Sequence, residues 1–477
     1  MKTWWFALAS LEQILTEVLK KVNPSDNDQK KVHDLARKLK EKIEKATKEK
    51  GIKAEVRVEG SVAKNTWLRD CPEIDVFMQV PTTVLKSEFE TVLLKIAKKA
   101  TEGYKQIERF AEHPYIEAVV DDIWVNVVPC YKVKAGKWLS ATDRTPFHTD
   151  YLNSLLNEKL SQEVRLLKQF MKGIEVYGAE IKVGGFSGYL CELLVINYGS
   201  FIKALQAAAD WKEKTVVDKE KHYKTSNDAI NKFEEPLIVI DPVDKTRNVA
   251  AAVRKDKLYE FIGAARKFLK KPDIHFFYPL ETTPLNTRQL VDKIKAKGST
   301  IIFIKVEGST TIPDILWGQL YKSEKAINRI IQKYDFNILR KTIWSNEKNL
   351  NIFVLELETR FLSNMKLHQG PPLQNRLACE KFLQKHLGAD STISGPRIEN
   401  GRWIVNVKRK YTDVVELLNE KICDGSRDEG VAELVSEVLS KTLEIYANEQ
   451  IIDLFSRNLN FAKFLTEFLD GKPKWLK

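Results

Sequence analysis

The chain has 477 residues, too many for one hydrophobic core, so its length predicts several domains. A formal net charge of +12 at pH 7 favours a polyanionic partner. The five cysteines are scattered without C-x-x-C spacing, which argues against a zinc or disulfide framework and favours the reducing cytoplasm. No apolar run approaches the ~20 residues that cross a bilayer, so we expect no membrane partner.

The first helices predicted along the chain cover its amino-terminal 50 residues. The opening MKTWWFALAS resembles a signal peptide, but its apolar part is shorter than the ~7–15 residues such peptides need, and Glu12 soon follows. Apolar residues continue at helical spacing to Val22, which favours an amphipathic helix and no targeting sequence. In residues 27–50 the lysines lie opposite an apolar stripe, so they are typical of a solvated helix face.

An acidic strand preceded by a Gly-Ser turn carries the clearest chemical signal. A β-like run over 52–58 leads into Gly60-Ser61, helix-compatible residues follow over 62–68, and a second strand contains Glu73 and Asp75. Strand side chains alternate with period 2, so the two carboxylates leave one face of the strand, where such a pair can hold a divalent cation. A Gly-Ser turn opening a helix offers N–H groups to phosphate. Each feature alone is more typical of a solvated surface, whereas together they indicate metal-assisted phosphoryl or nucleotidyl transfer.

The remaining pattern predicts three domains, over residues 1–150, 151–270 and 271–477. The first is an α/β sheet domain, with a helix over 87–102 and strands near 104–111, 114–120 and 123–133. The second is helical, with a polar loop over 213–232 and a helix over 248–268. The third is α+β; its predicted elements are a β-α-β unit over 300–306, 314–333 and 351–358, a hairpin turning on Asn400-Gly401, and helices over 287–297, 375–387, 411–422 and 429–469.

The amino-acid sequences of several segments resemble those of one known family. The spacing from Ser61 to Glu73 matches the hG[GS]…[DE]h[DE]h pattern of polymerase-β-like nucleotidyltransferases. Nine segments in one order between Glu59 and Val253 resemble the archaeal-type (class I) CCA-adding enzymes: GSVAKNTWL, EIDVF, AEHPY, VVPCYKV, DRTPFH, EVRLLKQFMKG, YGAEIKV, GFSGYLCELL and DPVDKTRNVAA. The resemblance implies a polymerase-β-like head, a helical central domain, and an α+β body and tail that grip tRNA. It also implies template-independent addition of C, C and A to the tRNA 3′ end from CTP and ATP, by proteins that are commonly homodimers.

The resemblance further implies two Mg²⁺ ions held by Glu73, Asp75 and a third carboxylate just before V-V-P-C-Y. In this chain that third position is Asn126, whose neutral amide cannot accept the proton of the attacking hydroxyl. We therefore expect weakened catalysis, whether Asn126 is natural or introduced. Asp121 and Asp122 are poor substitutes, since Asp122 lies four residues away, ~13 Å along a strand.

Seven residues are predicted to bind the nucleotide. Gly60 and Ser61 would meet the triphosphate, with Lys64 one helical turn on. By resemblance, the same site includes His148, Lys168 and Tyr177, each of which alone would read as an ordinary packed or surface residue. By resemblance too, Arg247 helps form the base pocket, where its rigid fork of donors suits base edges. The alternative for Arg247 is an ion pair with Asp241 or Asp244 at a helix start.

Two other functions stay open at this point. Asn126 favours a catalytically impaired protein that binds the tRNA 3′ end. A nucleotidyltransferase of other specificity, such as a poly(A) or oligo(U) enzyme, could share the same head, although the DRTPFH, GFSGYLCELL and DPVDKTRNVAA segments argue against it. In the tail, Trp403 and its basic neighbours either hold the tRNA elbow or, for Trp403, form hairpin core.

Overall fold

A computed structural model describes residues 2–110, 113–308 and 311–476, with side chains from residue 11 onward. The chain divides into two compact units, Met1–Leu280 with Pro473–Lys477, and Glu281–Lys472. Within the described residues, no helix is both long and apolar enough to cross a membrane. The predicted domain boundaries near residues 150 and 270 stay a prediction.

The amino-terminal part of the first unit contains a five-stranded sheet in the order β1-β2-β5-β4-β3. β2 and β5 pair in parallel, whereas the other neighbours are antiparallel. The strands are β1 (Glu55–Glu59), β2 (Glu73–Val80), β3 (Lys105–Phe110), β4 (Pro114–Val120) and β5 (Ile123–Tyr131). The helices in the same stretch of chain are α1 (Lys2–Val22), α2 (Asp26–Glu49), α3 (Gly60–Ala63), α4 (Lys86–Glu88), a π-helical turn (Phe89–Leu93), α5 (Leu94–Ala100), a 3₁₀ turn (Ala141–Arg144) and α6 (Thr145–Leu155). Of these, α1 contributes Val18 and Val22 to the core of the helical part that follows. Apolar residues of α2 and α5 pack on one face of this sheet, which leaves the acidic residues of β2 on the other face.

The rest of the first unit is mainly helical. Its helices are α7 (Glu158–Gly173), α8 (Gly188–Tyr198), α9 (Phe201–Ala209), α10 (Ser226–Ile230), α11 (Lys255–Lys270) and a 3₁₀ turn (Ile274–Phe276). A small sheet interrupts them, with strands β6 (Thr215–Val217), β7 (Leu237–Asp241) and β8 (Asp244–Asn248). The predicted helix over 248–268 is wrong at its start, because residues 244–248 pair with β7 and the helix begins only at Lys255. The prediction of a polar loop over 213–232 is also wrong in part, because this segment contains β6 and α10.

The second unit contains two sheets. One has the order β10-β11-β9-β15, and the other has the order β12-β14-β13. The strands are β9 (Thr300–Glu307), β10 (Ile338–Ser345), β11 (Leu350–Leu357), β12 (Met365–Pro372), β13 (Thr392–Glu399), β14 (Arg402–Lys408) and β15 (Glu444–Ala447). The helices are α12 (Thr287–Lys297), α13 (Pro313–Lys333), α14 (Arg376–His386), α15 (Val414–Ile422), α16 (Glu433–Lys441), a 3₁₀ turn (Asn448–Ile451), α17 (Ile452–Arg457) and α18 (Leu459–Asp470); a further 3₁₀ turn (Lys474–Leu476) belongs to the first unit.

Two predictions for this unit are wrong and one is confirmed. The predicted β-α-β unit does not form, because β10 follows α13 and β9 pairs antiparallel with β11. In place of the single helix predicted over 429–469, this segment forms three α-helices, a 3₁₀ turn and a strand, β15, which pairs with β9. The hairpin is confirmed: Asn400 and Gly401 link β13 to β14 with φ of +48° and +72°, the backbone that Asn-Gly turns adopt. Trp403 is half-buried in this hairpin.

Candidate active site

Strand register brings together the three residues predicted to hold a metal. In the parallel pair of β2 and β5, Asp75 lies opposite Asn126, and Glu73 is two residues back on the same face as Asp75. The Asn126 Nδ2 group donates to Glu73 Oε1 at 2.7 Å and to Asp75 Oδ1 at 2.9 Å. Two carboxylate oxygens therefore converge on a single positively polarised group.

The same carboxylates are electrostatically strained. Burial and the neighbouring Glu73 carboxylate raise the pKa of Asp75 to about 7. The Asn126 amide stabilises the pair through the hydrogens of Nδ2, while its buried Oδ1 has no hydrogen-bond partner among the described residues. The convergence of the two acids fits a divalent cation, but the amide presents its donor rather than its acceptor to them. This group contains two acids, and no group of three or more His, Cys, Asp or Glu that could hold a metal ion occurs among the described residues.

Asp121 and Asp122 do not replace a third carboxylate here. Both lie in the turn that joins β4 to β5, with φ of +51° and +66°. Both are exposed, and pairing of β5 with β2 begins only at Trp124. Their position in the exposed turn therefore agrees with the expectation that they are poor substitutes for a third carboxylate.

The Gly-Ser turn lies directly against the acidic strand. Gly60 has a φ of +69°, and a Cβ placed on it would lie 1.9 Å from Asp75 Oδ2. Only glycine fits this close approach without moving the carboxylate. The helix that begins here, α3, ends at Ala63, so the helix predicted over 62–68 is wrong; the chain turns at Asn65, whose φ is +50°. A phosphate at Ser61 would thus meet a short turn and not a long helix.

Lys64 and Lys168 meet at a buried acid that the sequence did not single out. Glu192 Oε2 accepts from Lys64 Nζ at 2.5 Å, and Glu192 Oε1 accepts from Lys168 Nζ at 3.0 Å and from the Thr66 hydroxyl. The Glu192 side chain is 1% exposed. Although burial acts to raise it, the two lysine charges lower the pKa of Glu192 to about 2, while burial lowers the pKa of Lys168.

Tyr177 lies beside the same group of residues. A Cβ on Gly188 would lie 3.1 Å from Tyr177 Oη and 3.5 Å from Lys168 Nζ. The glycine that opens α8 therefore leaves room for both side chains. Burial raises the pKa of Tyr177 well above its usual value, so the phenol stays a hydrogen-bond donor. Of the predicted nucleotide residues, Gly60 and Ser61 lie on α3, Lys64 follows it, and Lys168 lies on α7. Tyr177 lies beyond the end of α7, in an isolated β-bridge with Phe186.

Arg165 fixes the segment that follows α3. Its guanidinium is buried and donates to the carbonyl oxygens of Trp67, at 3.0 Å, and of Asn65, at 2.8 Å. It also donates to Asn65 Oδ1 at 2.7 Å. A side chain of α7 therefore sets the path of the backbone between Lys64 and Leu68.

A second buried acid, Asp241, contacts two further residues of the predicted nucleotide site, His148 and Arg247. Asp241 Oδ2 contacts His148 Nε2 at 2.8 Å and accepts from Arg247 at 2.9 Å, while its Oδ1 accepts from the Tyr189 hydroxyl at 3.2 Å. Although burial acts to raise it, the hydrogen bond to His148 and the Arg247 charge lower the pKa of Asp241; burial lowers that of His148. The ion pair considered for Arg247 is present, but Arg247 lies on β8 and not at a helix start, and its side chain stays 36% exposed.

Glu192, Asp241, Arg165 and Tyr189 were missed as site residues. A signal existed for Glu192, which is the one acid in the apolar helix GYLCELLVINY. Such a residue is seldom buried without a paired charge. No comparable signal marks Arg165, because its partners are backbone carbonyls about 100 residues away along the chain.

Family models match three successive parts of the chain. Residues 10–147 match the Second Messenger Oligonucleotide or Dinucleotide Synthetase domain, and residues 162–278 match the second domain of tRNA nucleotidyltransferase. Residues 297–448 match the C-terminal domain of the CCA-adding enzyme. These matches agree with the predicted fold class, a multidomain α/β protein with a polymerase-β-like head.

Curated relatives match nearly the whole chain. A CCA-adding enzyme of Methanosarcina barkeri is 36% identical over 429 residues, which is 89% of this chain and 92% of that protein. Those of Pyrobaculum aerophilum and Methanocaldococcus jannaschii are 36% and 34% identical, each over 91% of this chain and over 99% and 96% of their own lengths. Identity at this level over almost the full length of both proteins shows that the chain belongs to the CCA-adding enzyme family, the tRNA nucleotidyltransferases found in these archaea.

Proposed function

We propose that this chain adds C, C and A to the 3′ end of tRNA, using CTP and ATP without a template strand. Membership of the CCA-adding enzyme family supports the reaction, and the convergence of Glu73 and Asp75 on one point supports its placement at β2. The net charge of +12 is consistent with a tRNA partner. The cytoplasmic location of the protein and its assembly as a homodimer remain predictions.

We propose that Glu73 and Asp75 hold two Mg²⁺ ions, with Asn126 beside them. Bound ions of this kind lower the pKa of the attacking hydroxyl and neutralise charge on the leaving pyrophosphate. Mg²⁺ keeps several waters and takes few protein carboxylates, so two acids and the substrate phosphates nearly complete its ligands. The protein's own part is to hold both carboxylates on one strand face and to press Gly60 against Asp75.

Asn126 makes this site a weak one. To offer an oxygen to a cation, the amide must turn and give up its two hydrogen bonds to Glu73 and Asp75. Hydrogen bonds to charged groups contribute ~1.5–3 kcal/mol each, so this rearrangement opposes metal binding. The amide oxygen is also neutral, which leaves the site one negative charge short of the arrangement that the family resemblance implies.

The proposed nucleotide site has two parts. Gly60, Ser61, Lys64, Lys168 and Tyr177 would bind the triphosphate, because they surround the turn that lies against the acidic strand. Arg247 and His148 would face the base, held by their shared partner Asp241. The paired donors of Arg247 can read base edges once its bond to Asp241 is shared or released.

The second candidate is a protein that binds the tRNA 3′ end with little or no catalysis. The observation that favours it is the donor orientation of the Asn126 amide. Radiolabelled CTP and ATP, incubated with a tRNA transcript lacking its terminal CCA, decide between the two. Slow incorporation of all three nucleotides supports the enzyme, whereas binding of tRNA without any incorporation supports the second candidate.

A further inference from the structure

We propose that Glu192 is a positioning residue, whose buried charge holds Lys64 and Lys168 together for the triphosphate of either nucleotide. The proposal rests on the function proposed above. Among the described residues, the Glu192 carboxylate accepts hydrogen bonds from the two lysines and Thr66, and not from the proposed metal ligands.

The cluster is built from segments far apart along the chain. Lys64 follows α3, Lys168 belongs to α7, and Glu192 belongs to α8, separated from Lys64 by 128 positions. Lys168 Nζ also donates to the carbonyl and hydroxyl oxygens of Thr66, both at 3.1 Å. One carboxylate therefore fixes the distance between two ammonium groups that would otherwise repel each other.

The charge balance of the cluster points to an anionic ligand. Two lysines face one carboxylate, and all three side chains are buried, which leaves one excess positive charge in a weakly solvated place. The acids Glu59 and Asp75 also interact electrostatically with Lys64, but they do not belong to the cluster. Three further titratable groups lie nearby: Tyr189, whose ring lies 5.6 Å from Lys64 Nζ, Tyr177 and Cys191. Burial raises the pKa of each of these three groups, so none adds a negative charge near pH 7. A triphosphate supplies the missing negative charge.

The same arrangement predicts how nucleotide binding depends on pH. Burial lowers the pKa of Lys168, and the Glu192 charge opposes that shift. Without the carboxylate the pKa of Lys168 falls further, so the lysine loses its charge at a lower pH. Affinity for triphosphate should then decline as pH rises, and this decline should begin earlier than in the wild-type protein.

The test measures equilibrium binding of CTP and of ATP to the full chain between pH 6.5 and 9, without tRNA. We expect Glu192→Gln to weaken the binding of CTP and of ATP about equally, by at least ~10-fold. Its affinity for both nucleotides should also begin to decline at a lower pH than that of the wild type. Glu192→Asp keeps the charge and should restore the wild-type pH profile in part. The control is Glu163→Gln on α7, which removes a half-buried acid that accepts from the Phe201 N–H at 2.8 Å, outside the cluster.

A melting temperature for each variant separates positioning from folding. If Glu192→Gln does not fold, Glu192→Gln combined with Lys168→Met restores the net charge of the cluster, and we expect that variant to fold but to bind both nucleotides weakly at every pH. Wild-type affinity and pH profile in Glu192→Gln overturn the role of Glu192 alone. The same result in the double variant overturns the proposed roles of both Glu192 and Lys168. If the wild-type protein binds neither nucleotide, the proposed nucleotide site fails first, and the role of Glu192 fails with it.

Discussion

Replacing Asn126 by aspartate should increase the rate of nucleotide incorporation by orders of magnitude. The amide donates at 2.7 and 2.9 Å to Glu73 and Asp75, and both bonds must break before the residue can offer an oxygen to Mg²⁺. At ~1.5–3 kcal/mol for each hydrogen bond to a charged group, the cost is ~3–6 kcal/mol. A factor of ten in rate corresponds to ~1.4 kcal/mol, so Asn126→Asp should be ~10²- to 10⁴-fold faster.

The assay compares incorporation of radiolabelled CTP and ATP into truncated tRNA by the two proteins, at saturating tRNA and increasing Mg²⁺. Asn126→Asp should also reach half its maximal rate at a lower Mg²⁺ concentration, because a third carboxylate attracts the cation. Without Mg²⁺, three carboxylates around one point repel each other, so this variant should melt at a lower temperature than the wild type. Addition of Mg²⁺ should reverse that difference.

Asn126→Leu is the matched control, since it removes the donor without adding a charge. It should leave the two acids unpaired and should not gain activity. Equal rates for the wild type and Asn126→Asp would refute the reasoning, because a third ligand would then have to come from elsewhere. If neither protein incorporates nucleotide while both bind tRNA, the protein that only binds the tRNA 3′ end is the better description.

Three further predictions concern the turn, the base and the tRNA. Gly60→Ala should abolish incorporation, because its Cβ would meet Asp75 Oδ2 at 1.9 Å; Gly51→Ala has a similar φ of +70° and open space, so it should show only the ~1–2 kcal/mol backbone cost in its unfolding free energy. Equal loss of activity in both would contradict this contact. Arg247→Ala should impair use of CTP and ATP with near-normal tRNA affinity by filter binding, and an equal loss of tRNA affinity would show that Arg247 holds the acceptor stem instead. Binding of tRNA lacking CCA should weaken steeply with added salt, since phosphate contacts release counterions, and oligo(A) that competes as well as tRNA would point to a different nucleotidyltransferase.

The acidic strand could be predicted from the sequence because its geometry is local. Glu73 and Asp75 lie two residues apart on one strand, so period 2 alone places them on one face. Asn126 is on a different strand, and only the family resemblance connected it with them. The parallel pairing of β2 with β5 then places Asn126 beside Glu73 and Asp75, as the resemblance implied.

Elements that depend on distant pairing could not be predicted in the same way. Arg247 was considered as a residue at a helix start, but its segment, Asp244–Asn248, pairs with β7 as a strand. The strand β15 lies in a stretch with helical periodicity, and its addition to β9 overrides that local preference. The same limit applies to Glu192. An acid in an apolar helix can be noticed in the sequence, but its two lysine partners lie 24 and 128 positions away and could not be predicted.

The turn after β1 connects two parts of the site that carry opposite charge. Gly60 lies against the Asp75 carboxylate, and four residues later Lys64 reaches the buried Glu192, where positive charge is in excess. Asn126 alters only the acidic part, because its hydrogen bonds go to Glu73 and Asp75 and not to the lysine cluster. The chain should therefore bind nucleotide phosphates well even where metal binding is weak. For this reason binding measurements alone cannot distinguish a slow CCA-adding enzyme from a protein that only holds the tRNA end, and the rate recovered by Asn126→Asp is the measurement that separates them.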